Sequence, residues 1–95
     1  MKIQTTSGFV CEVNENKAKD WRFTKYLAMC EAETGKIQGL PLLVNFLLGE
    51  SGEEALMEHV TEKNGEIPTE RILAETKEIL NLMSEQIKKS QPSQG

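Results

Sequence analysis

The first residues of the chain follow a pattern that repeats every two positions. In segments 2–5 and 9–13, one face carries every second residue, and its members are Ile3, Thr5, Phe9, Cys11 and Val13. A period of two predicts half-buried β-strands. Thr6-Ser7-Gly8 supplies a turn between them, in which Gly8 can adopt a positive φ. The pattern predicts a β-hairpin over 2–13 whose apolar face packs on helices.

A helical pattern follows the predicted hairpin. Asn14 and Asn16 are suitable N-caps, the helix extends to about Glu33, and Gly35 ends it. Its apolar stripe, with members three and four positions apart, contains Phe23, Tyr26, Leu27 and Cys30. Trp21 lies off this stripe. We predict that Trp21 packs on the hairpin, and the alternative is that it anchors a partner protein.

Segment 40–48 is apolar on almost every side. Pro41 suits the first turn of a helix and Gly49 lies past its end. The apolar residues cover roughly 240° of the helical wheel, against about 100° for an ordinary surface helix. The preferred interpretation is a central helix covered by the hairpin and the other helices. The alternative is that one side contacts a partner, because a domain this small covers all sides of one helix with difficulty.

Two further helices are predicted after Gly49. Ser51-Gly52-Glu53-Glu54 has the spacing of a capping box, with Ser51 as the N-cap, and opens a short helix that ends at Asn64-Gly65. The last helix follows Pro68, with Thr69 as its N-cap. Its apolar stripe consists of Ile72, Leu73, Thr76, Ile79, Leu80, Met83 and Ile87.

These elements predict the fold class and the domain organisation. The chain has 95 residues, which corresponds to one domain. We expect a single α+β, mainly α domain over residues 1–88, with an N-terminal β-hairpin followed by about four helices. Residues 89–95 have nothing apolar to bury and are predicted to form a disordered tail.

Charge is distributed unevenly along the chain. The net charge is −4, and residues 37–95 carry ten acidic and five basic side chains. An acidic surface repels phosphate, which disfavours binding to DNA or RNA. Segment 17–26 nevertheless interleaves basic and aromatic residues, as single-strand binders do. A small regulatory or nucleic-acid-associated protein is therefore the alternative hypothesis.

The sequence predicts neither a membrane protein nor a secreted one. The start of the chain lacks a signal-peptide pattern, and the longest apolar stretch, 40–48, is too short to span a bilayer. Two cysteines, Cys11 and Cys30, do not make a disulfide framework and are interpreted as small buried apolar residues. We therefore expect a cytoplasmic protein with reduced thiols.

No motif in the sequence predicts catalysis. The single histidine, His59, has no serine or cysteine at a telling distance along the chain and is interpreted as a solvent-facing helix residue. Neither C-x-x-C nor H-x-x-x-H is present, and the isolated glycines form no phosphate loop. We expect no enzymatic activity, no cofactor and no metal.

The order of features carries a resemblance over residues 2 to about 88. The matching parts are the opening hairpin, Asp20-Trp21-Arg22 before an amphipathic helix, the leucine-rich segment Leu42 to Gly49, the segment Ala55 to Val60, and Asn64-Gly65-Glu66-Ile67-Pro68 before the last helix. In this pattern the chain resembles the tail assembly chaperones of long-tailed, siphovirus-like bacteriophages. The likeness is one of pattern, without a single diagnostic motif.

The resemblance implies a non-catalytic protein of the bacterial host cytoplasm. Such chaperones bind the tape measure protein, keep its hydrophobic segments soluble, and are displaced as tail tube protein polymerises around it. Many are made in two lengths, the longer by a ribosomal frameshift. Self-association is a further expectation. The residues predicted to contact the partner are Trp21, Leu42, Leu43, Phe46, Leu47 and Met83.

Overall fold

The chain folds into a two-stranded hairpin followed by helices, in a computed structural model that describes residues 1–32 and 36–90. This arrangement confirms the predicted α+β, mainly α fold. The elements are β1 (Lys2–Gln4), β2 (Val10–Glu12), a 3-10 helix (Glu15–Lys19), α1 (Trp21–Glu31), α2 (Lys36–Val60) and α3 (Thr69–Ser90).

The hairpin has the predicted turn and the predicted buried face. β1 and β2 are antiparallel, with Ile3 opposite Cys11. Gly8 adopts a φ of 97°, and the amide of Gly8 donates to the carbonyl of Thr5 at 3.0 Å. Ile3, Phe9 and Val13 are buried in the core, so the period of two identified the inward side correctly.

The single helix predicted between Asn14 and Glu33 is interrupted at Asp20. The 3-10 helix ends there because Asp20 is extended, with φ −81° and ψ 138°. Its carboxylate accepts a hydrogen bond from the backbone N–H of Arg22 at 2.8 Å and so caps a new helix, α1. An aspartate that bonds the following backbone competes with continued helix, which explains the break. The predicted stop at Gly35 lies outside the described residues.

The two helices predicted on either side of Gly49 form one bent element, α2. Helix begins at Lys36 rather than at 40, so Pro41 lies inside the helix and not in its first turn. Gly49 interrupts the helix with φ 73° and ψ 175°. Helical residues resume at Glu50, which places the predicted N-cap Ser51 inside the helix. Counted on either side of this kink, the described part of the chain has four α-helical segments, which agrees with the predicted number of about four.

The last helix begins and ends close to the prediction. The carbonyl of Pro68 accepts from the amide of Ile72 at 3.3 Å, so Thr69 is the first helical residue rather than the cap. α3 continues to Ser90, and the tail predicted from residue 89 therefore starts too early. Residues 91–95 lie outside the described residues.

The core lies where the hairpin, α2 and α3 meet. A close approach of α1 to α2 depends on Gly39, because a Cβ atom there would lie 2.6 Å from the Cβ of Met29. α1 contributes a half-buried stripe that includes Phe23 and Leu27. The buried apolar residues are Ile3, Phe9, Val13, Leu40, Leu43, Val44, Leu47, Leu56, Val60, Ile79 and Met83.

Candidate functional site

Three of the six residues predicted to contact a partner belong to the core. Leu43, Leu47 and Met83 are buried and pack in the main apolar cluster. Leu43 and Leu47 lie one helical turn apart on the inner side of α2, and Met83 lies on the inner stripe of α3. A partner cannot reach them without opening the fold, so their assignment as binding residues is corrected.

Two of the six predicted residues are accessible. Trp21 is 73% exposed and Leu42 is 43% exposed. The prediction that Trp21 packs on the hairpin is therefore wrong. Trp21 is the first residue of α1, directly after the Asp20 cap, and this position leaves its ring in solvent. Both side chains are available to a partner.

Phe46 is half-buried and lies between two cations. The Nζ atom of Lys17 and the guanidinium carbon of Arg22 each lie 4.9 Å from the centre of the Phe46 ring. Lys17 also donates a hydrogen bond to the carbonyl of Phe46. Tyr26 meets the same ring edge-on, with centroids 6.0 Å apart. Phe46 therefore packs α2 against α1. It also engages two basic residues of segment 17–26, Lys17 and Arg22.

Arg22 is further engaged by Asp20. Its Nε and Nη2 atoms donate to the two carboxylate oxygens at 3.0 and 2.9 Å. Hydrogen bonds from the Arg22 side chain and then from its backbone hold the pKa of Asp20 at about 2, well below its ordinary value. The same pairing raises the pKa of Arg22. The guanidinium is thus partly neutralised, which weakens the case for phosphate binding by this segment.

Three adjoining hollows together form an apolar groove between α2 and α3, and α1 lines one end of it. Its middle is a hollow of about 450 Å³ lined by Ile37, Leu40, Pro41, Thr69 and Leu73. A second hollow of about 270 Å³ adjoins it at Leu40, Pro41 and Thr69 and extends to Met57, Ile67 and Ile72. A third, of about 430 Å³, adjoins it at Leu40 and Leu73 and extends to Leu80 and Cys30. We call this surface the α2–α3 groove.

The α3 side of the groove has the spacing of one helical face. The residues that line it recur at intervals of three and four: Thr69, Ile72, Leu73, Thr76, Lys77, Leu80 and Asn81. At 1.5 Å per residue this stripe is roughly 18 Å long, which matches about three turns of an α-helix. The groove therefore has the length and the apolar character of a site for one partner helix.

The sequence prediction did not identify the residues that expose this groove. Ile37 is 89% exposed, and Met57 and Ile67 are also exposed. Ile37 and Ile67 each appear in the sequence as isolated apolar residues outside the clear helical stripes, whereas Met57 follows Leu56 in the short helix predicted after Gly49. The usable signal in the sequence was Ile67, an apolar residue in a predicted loop that lies shortly before the apolar stripe of the last helix begins at Ile72. Isolated apolar surface residues are common, so this signal is weak without coordinates.

A polar cluster fastens the hairpin turn to the helices. Glu75 is buried and accepts hydrogen bonds from the hydroxyls of Thr5 and Ser7, both at 2.8 Å. The Oγ atom of Ser7 also lies 2.9 Å from Nε2 of His59. Glu78 accepts from the backbone and the hydroxyl of Thr6 at 2.7 and 3.0 Å.

The fold thus brings Ser7 to His59, although the two residues are 52 positions apart along the chain. The geometry differs from that of a catalytic triad. A triad carboxylate orients the histidine, whereas Glu75 accepts the proton of Ser7 itself. With that proton directed at the carboxylate, Nε2 of His59 must donate to Ser7. The cluster therefore holds the turn in place, and its order of hydrogen bonds is not that of a Ser-His-carboxylate triad.

The described residues form no cluster of three or more histidine, cysteine or acidic side chains that could hold a metal ion. Both cysteines are free and half-buried. Burial, and then the nearby Glu12 and Glu31, raise the pKa values of Cys11 and Cys30, which disfavours the reactive thiolate. Within the described ranges, no helix has both the length and the apolar character needed to cross a membrane.

The α2–α3 groove is therefore the surface that best fits a function of binding protein. It is apolar and elongated, and exposed apolar side chains border it together with a few charged ones, Glu31, Glu53 and Lys77. Comparisons of the chain with models of protein families, with curated proteins and with solved structures found no significant match.

Proposed function

We propose that this protein is a tail assembly chaperone of a long-tailed bacteriophage. In this role it binds apolar helical segments of the tape measure protein and keeps them soluble in the host cytoplasm until tail tube protein replaces it. The α2–α3 groove is the site that receives these segments. Trp21 and Leu42 contribute exposed apolar contacts outside the groove.

The observation that supports this proposal most directly is the open groove in an otherwise acidic domain. Ile37, Met57 and Ile67 leave apolar surface in water along its length. Covering such surface releases roughly 25 cal/mol for each Å² removed from water, which favours association with an apolar partner. The net charge of −4 favours solubility of the complex. An acidic carrier with an apolar groove is suited to reversible protection of a helix.

The nucleic-acid alternative receives less support from the structure. Its segment, 17–26, contributes Lys17 and Arg22 to contacts with Phe46 and Asp20. Trp21 is exposed beside them and is the one feature that fits base stacking. A protein that binds single strands needs a cationic track along the backbone, and the acidic surface of residues 37–95 opposes one.

The direct test is co-expression with the tape measure protein encoded in the same tail module. We expect the tape measure protein to appear in the soluble fraction and to co-purify with this chain. The double variant Ile37→Asp, Ile67→Asp should lose both effects, because two carboxylates would enter the apolar groove. Val10→Asp is the matched control, since Val10 is an exposed apolar residue on the hairpin.

The outcomes separate clearly. If the tape measure protein stays insoluble with the unaltered chain, the proposal fails. If it becomes soluble with both variants alike, the chaperone function stands but the groove is not its site.

A second test uses the frameshift that the resemblance implies. The gene is expressed with its native downstream DNA, and the intact masses of all products are measured. A minor longer product with the same N-terminus supports the proposal and supplies the extension for binding tests with tail tube protein. A single product removes this support, and the case then depends on the co-expression result.

A further inference from the structure

The α2–α3 groove is bordered by the most acidic part of the chain. Residues 50–70 carry seven glutamates and one lysine. This segment forms the second half of α2, the connecting loop and the first turn of α3. Glu53 lines the groove next to Met57 and Ile67, and Glu31 lines its opposite end.

These carboxylates are not neutralised within the described part of the chain. The two ion pairs found there join Met1 to Glu12 and Arg22 to Asp20, so none of the seven glutamates of segment 50–70 pairs with a described cation. Glu53 and Glu66 accept hydrogen bonds only from neutral asparagine amides, at 3.0 and 2.7 Å. One cation, Lys77, also lines the groove, against the two carboxylates Glu31 and Glu53. With the other glutamates of segment 50–70 nearby, the border of the groove keeps a net negative potential that a partner can use.

We infer that the groove selects an amphipathic helix whose apolar stripe is flanked by lysine or arginine. This inference rests on the proposed function and names the class of tape measure segment that the site receives. A stripe of about three turns fills the length of the groove. Long basic side chains at its flanks lay their methylene groups along the apolar edge and place their charges beside the glutamates.

A second copy of the chain fits this groove less well than a basic helix does. Each copy has a net charge of −4, and its own α2 and α3 carry the acidic side chains that border the groove. Bringing two such surfaces together places like charges opposite each other, which is unfavourable. Charge complementarity therefore points to a basic partner.

The test compares two synthetic amphipathic peptides of equal length with the same leucine stripe. One carries lysine and the other glutamate at the flanking positions, and binding to the intact 95-residue chain is followed by fluorescence anisotropy. We expect the lysine peptide to bind about tenfold more tightly in dilute buffer. The ratio should shrink toward about twofold in roughly 0.5 M salt, because the charges are screened while the apolar contacts remain.

A pair of charge-matched variants locates the effect. Glu31→Gln with Glu53→Gln removes two charges at the groove, whereas Glu15→Gln with Glu85→Gln removes two charges away from it. We expect the first pair to weaken binding of the lysine peptide about fourfold and the second pair to change it less than about twofold. Equal losses in both pairs would show attraction to overall charge and would overturn the assignment to this groove.

Other outcomes overturn the inference in ways that distinguish it from the chaperone proposal. If both peptides bind alike while the tape measure protein is still solubilised, the charge preference is wrong and the function stands. If neither peptide binds and the tape measure protein stays insoluble, both proposals fail. If the chain is a dimer by sedimentation and Ile37→Asp makes it monomeric, a second copy occupies the groove.

Discussion

At the scale of single residues, Asp20 decides how the chain enters α1. Its carboxylate accepts from the backbone amide of Arg22 at 2.8 Å and pairs with the Arg22 side chain. The pKa of Asp20 falls to about 2 because these hydrogen bonds favour the charged form. One residue therefore ends the 3-10 helix, starts α1 and holds the cation that covers Phe46.

This depressed pKa predicts a pH-dependent contribution to stability. A group whose pKa is lower in the folded state stabilises the fold above its unfolded pKa, here 3.8, and loses this effect as the pH falls through the folded value of about 2. We expect Asp20→Asn to be less stable than the unaltered chain near neutral pH, with the difference shrinking between pH 3.8 and about 2. Urea unfolding across this range measures it, and a difference that is constant with pH would contradict the assignment.

A second residue-scale device is the buried carboxylate of Glu75. It accepts from Thr5 and Ser7, two residues of the hairpin turn that are about 70 positions away along the chain. Thr5 in turn accepts from the amide of Phe9 at 3.2 Å through its hydroxyl oxygen. The hairpin is thereby fixed to α3 at its turn as well as through its apolar face.

Removal of this carboxylate should lower the stability of the whole fold. We expect Glu75→Ala to cost about 2 kcal/mol in the free energy of unfolding, because two hydroxyls lose a charged acceptor. Glu75→Gln keeps one acceptor oxygen and should cost less. Glu85→Ala, at an exposed position of the same helix, should change stability by no more than about 0.5 kcal/mol. Similar losses at 75 and 85 in urea unfolding would show that the cluster is not stabilising.

At the scale of elements, some patterns in the sequence were sufficient and others were not. The hairpin was predictable because its period of two and the need for Gly8 in the turn agree. The stripe of α3 was predictable because apolar residues repeat over about four turns. In both elements the residues that the local pattern placed on the inner face are the ones that the core buries, so both predictions were correct.

The other elements could not be predicted from the pattern alone, because more than one residue was able to begin or end a helix. Asn14 and Asp20 are both good caps, and only the fold decides that each starts its own helix. Gly49 was expected to separate two helices, and it does interrupt the helix, but helix resumes directly after it, so Ser51 is not the cap. The groove could not be predicted at all, because it depends on the separation between α2 and α3 and on the exposure of Ile37. For Leu43 and Leu47 the preferred interpretation of 40–48 as a covered central helix is correct, and the alternative assignment of these two residues to binding is wrong.

The bend at Gly49 provides a prediction at this scale. With φ 73° and ψ 175°, its backbone is in a region that residues with a Cβ atom rarely adopt. A Cβ there would meet nothing within 4 Å, so the penalty of Gly49→Ala is conformational and should be about 1–3 kcal/mol. Ser51→Ala tests the rejected capping box: inside a helix it should be neutral or slightly stabilising. If Ser51→Ala instead lowers the free energy of unfolding by about 1 kcal/mol, Ser51 does cap the second helical segment.

At the scale of the whole molecule, substitutions at two neighbouring leucines of α2 distinguish a residue needed for folding from one that is available to a partner. Leu43 is buried in the core, whereas Leu42 is exposed. We expect Leu43→Asp to cost more than about 4 kcal/mol, which is most of the stability of a domain this small. Leu42→Asp should remain folded, with a loss of about 1 kcal/mol or less. Circular dichroism and urea unfolding decide the matter, and a folded Leu43→Asp variant would mean that α2 is not the centre of the core.

The salt dependence of partner binding separates the two functional hypotheses. A protein that contacts six to ten phosphates loses about 10³- to 10⁵-fold in affinity between roughly 50 and 200 mM salt. Burial of an apolar stripe is not weakened by salt, and only the charged flanks of the partner are screened. We therefore expect binding of the tape measure protein to weaken less than about tenfold over that range, as measured by anisotropy with a labelled segment. Single-stranded DNA tested under the same conditions is the control. Tight DNA binding that collapses with salt would favour the segment 17–26, whereas binding of the tape measure segment that persists would favour the α2–α3 groove.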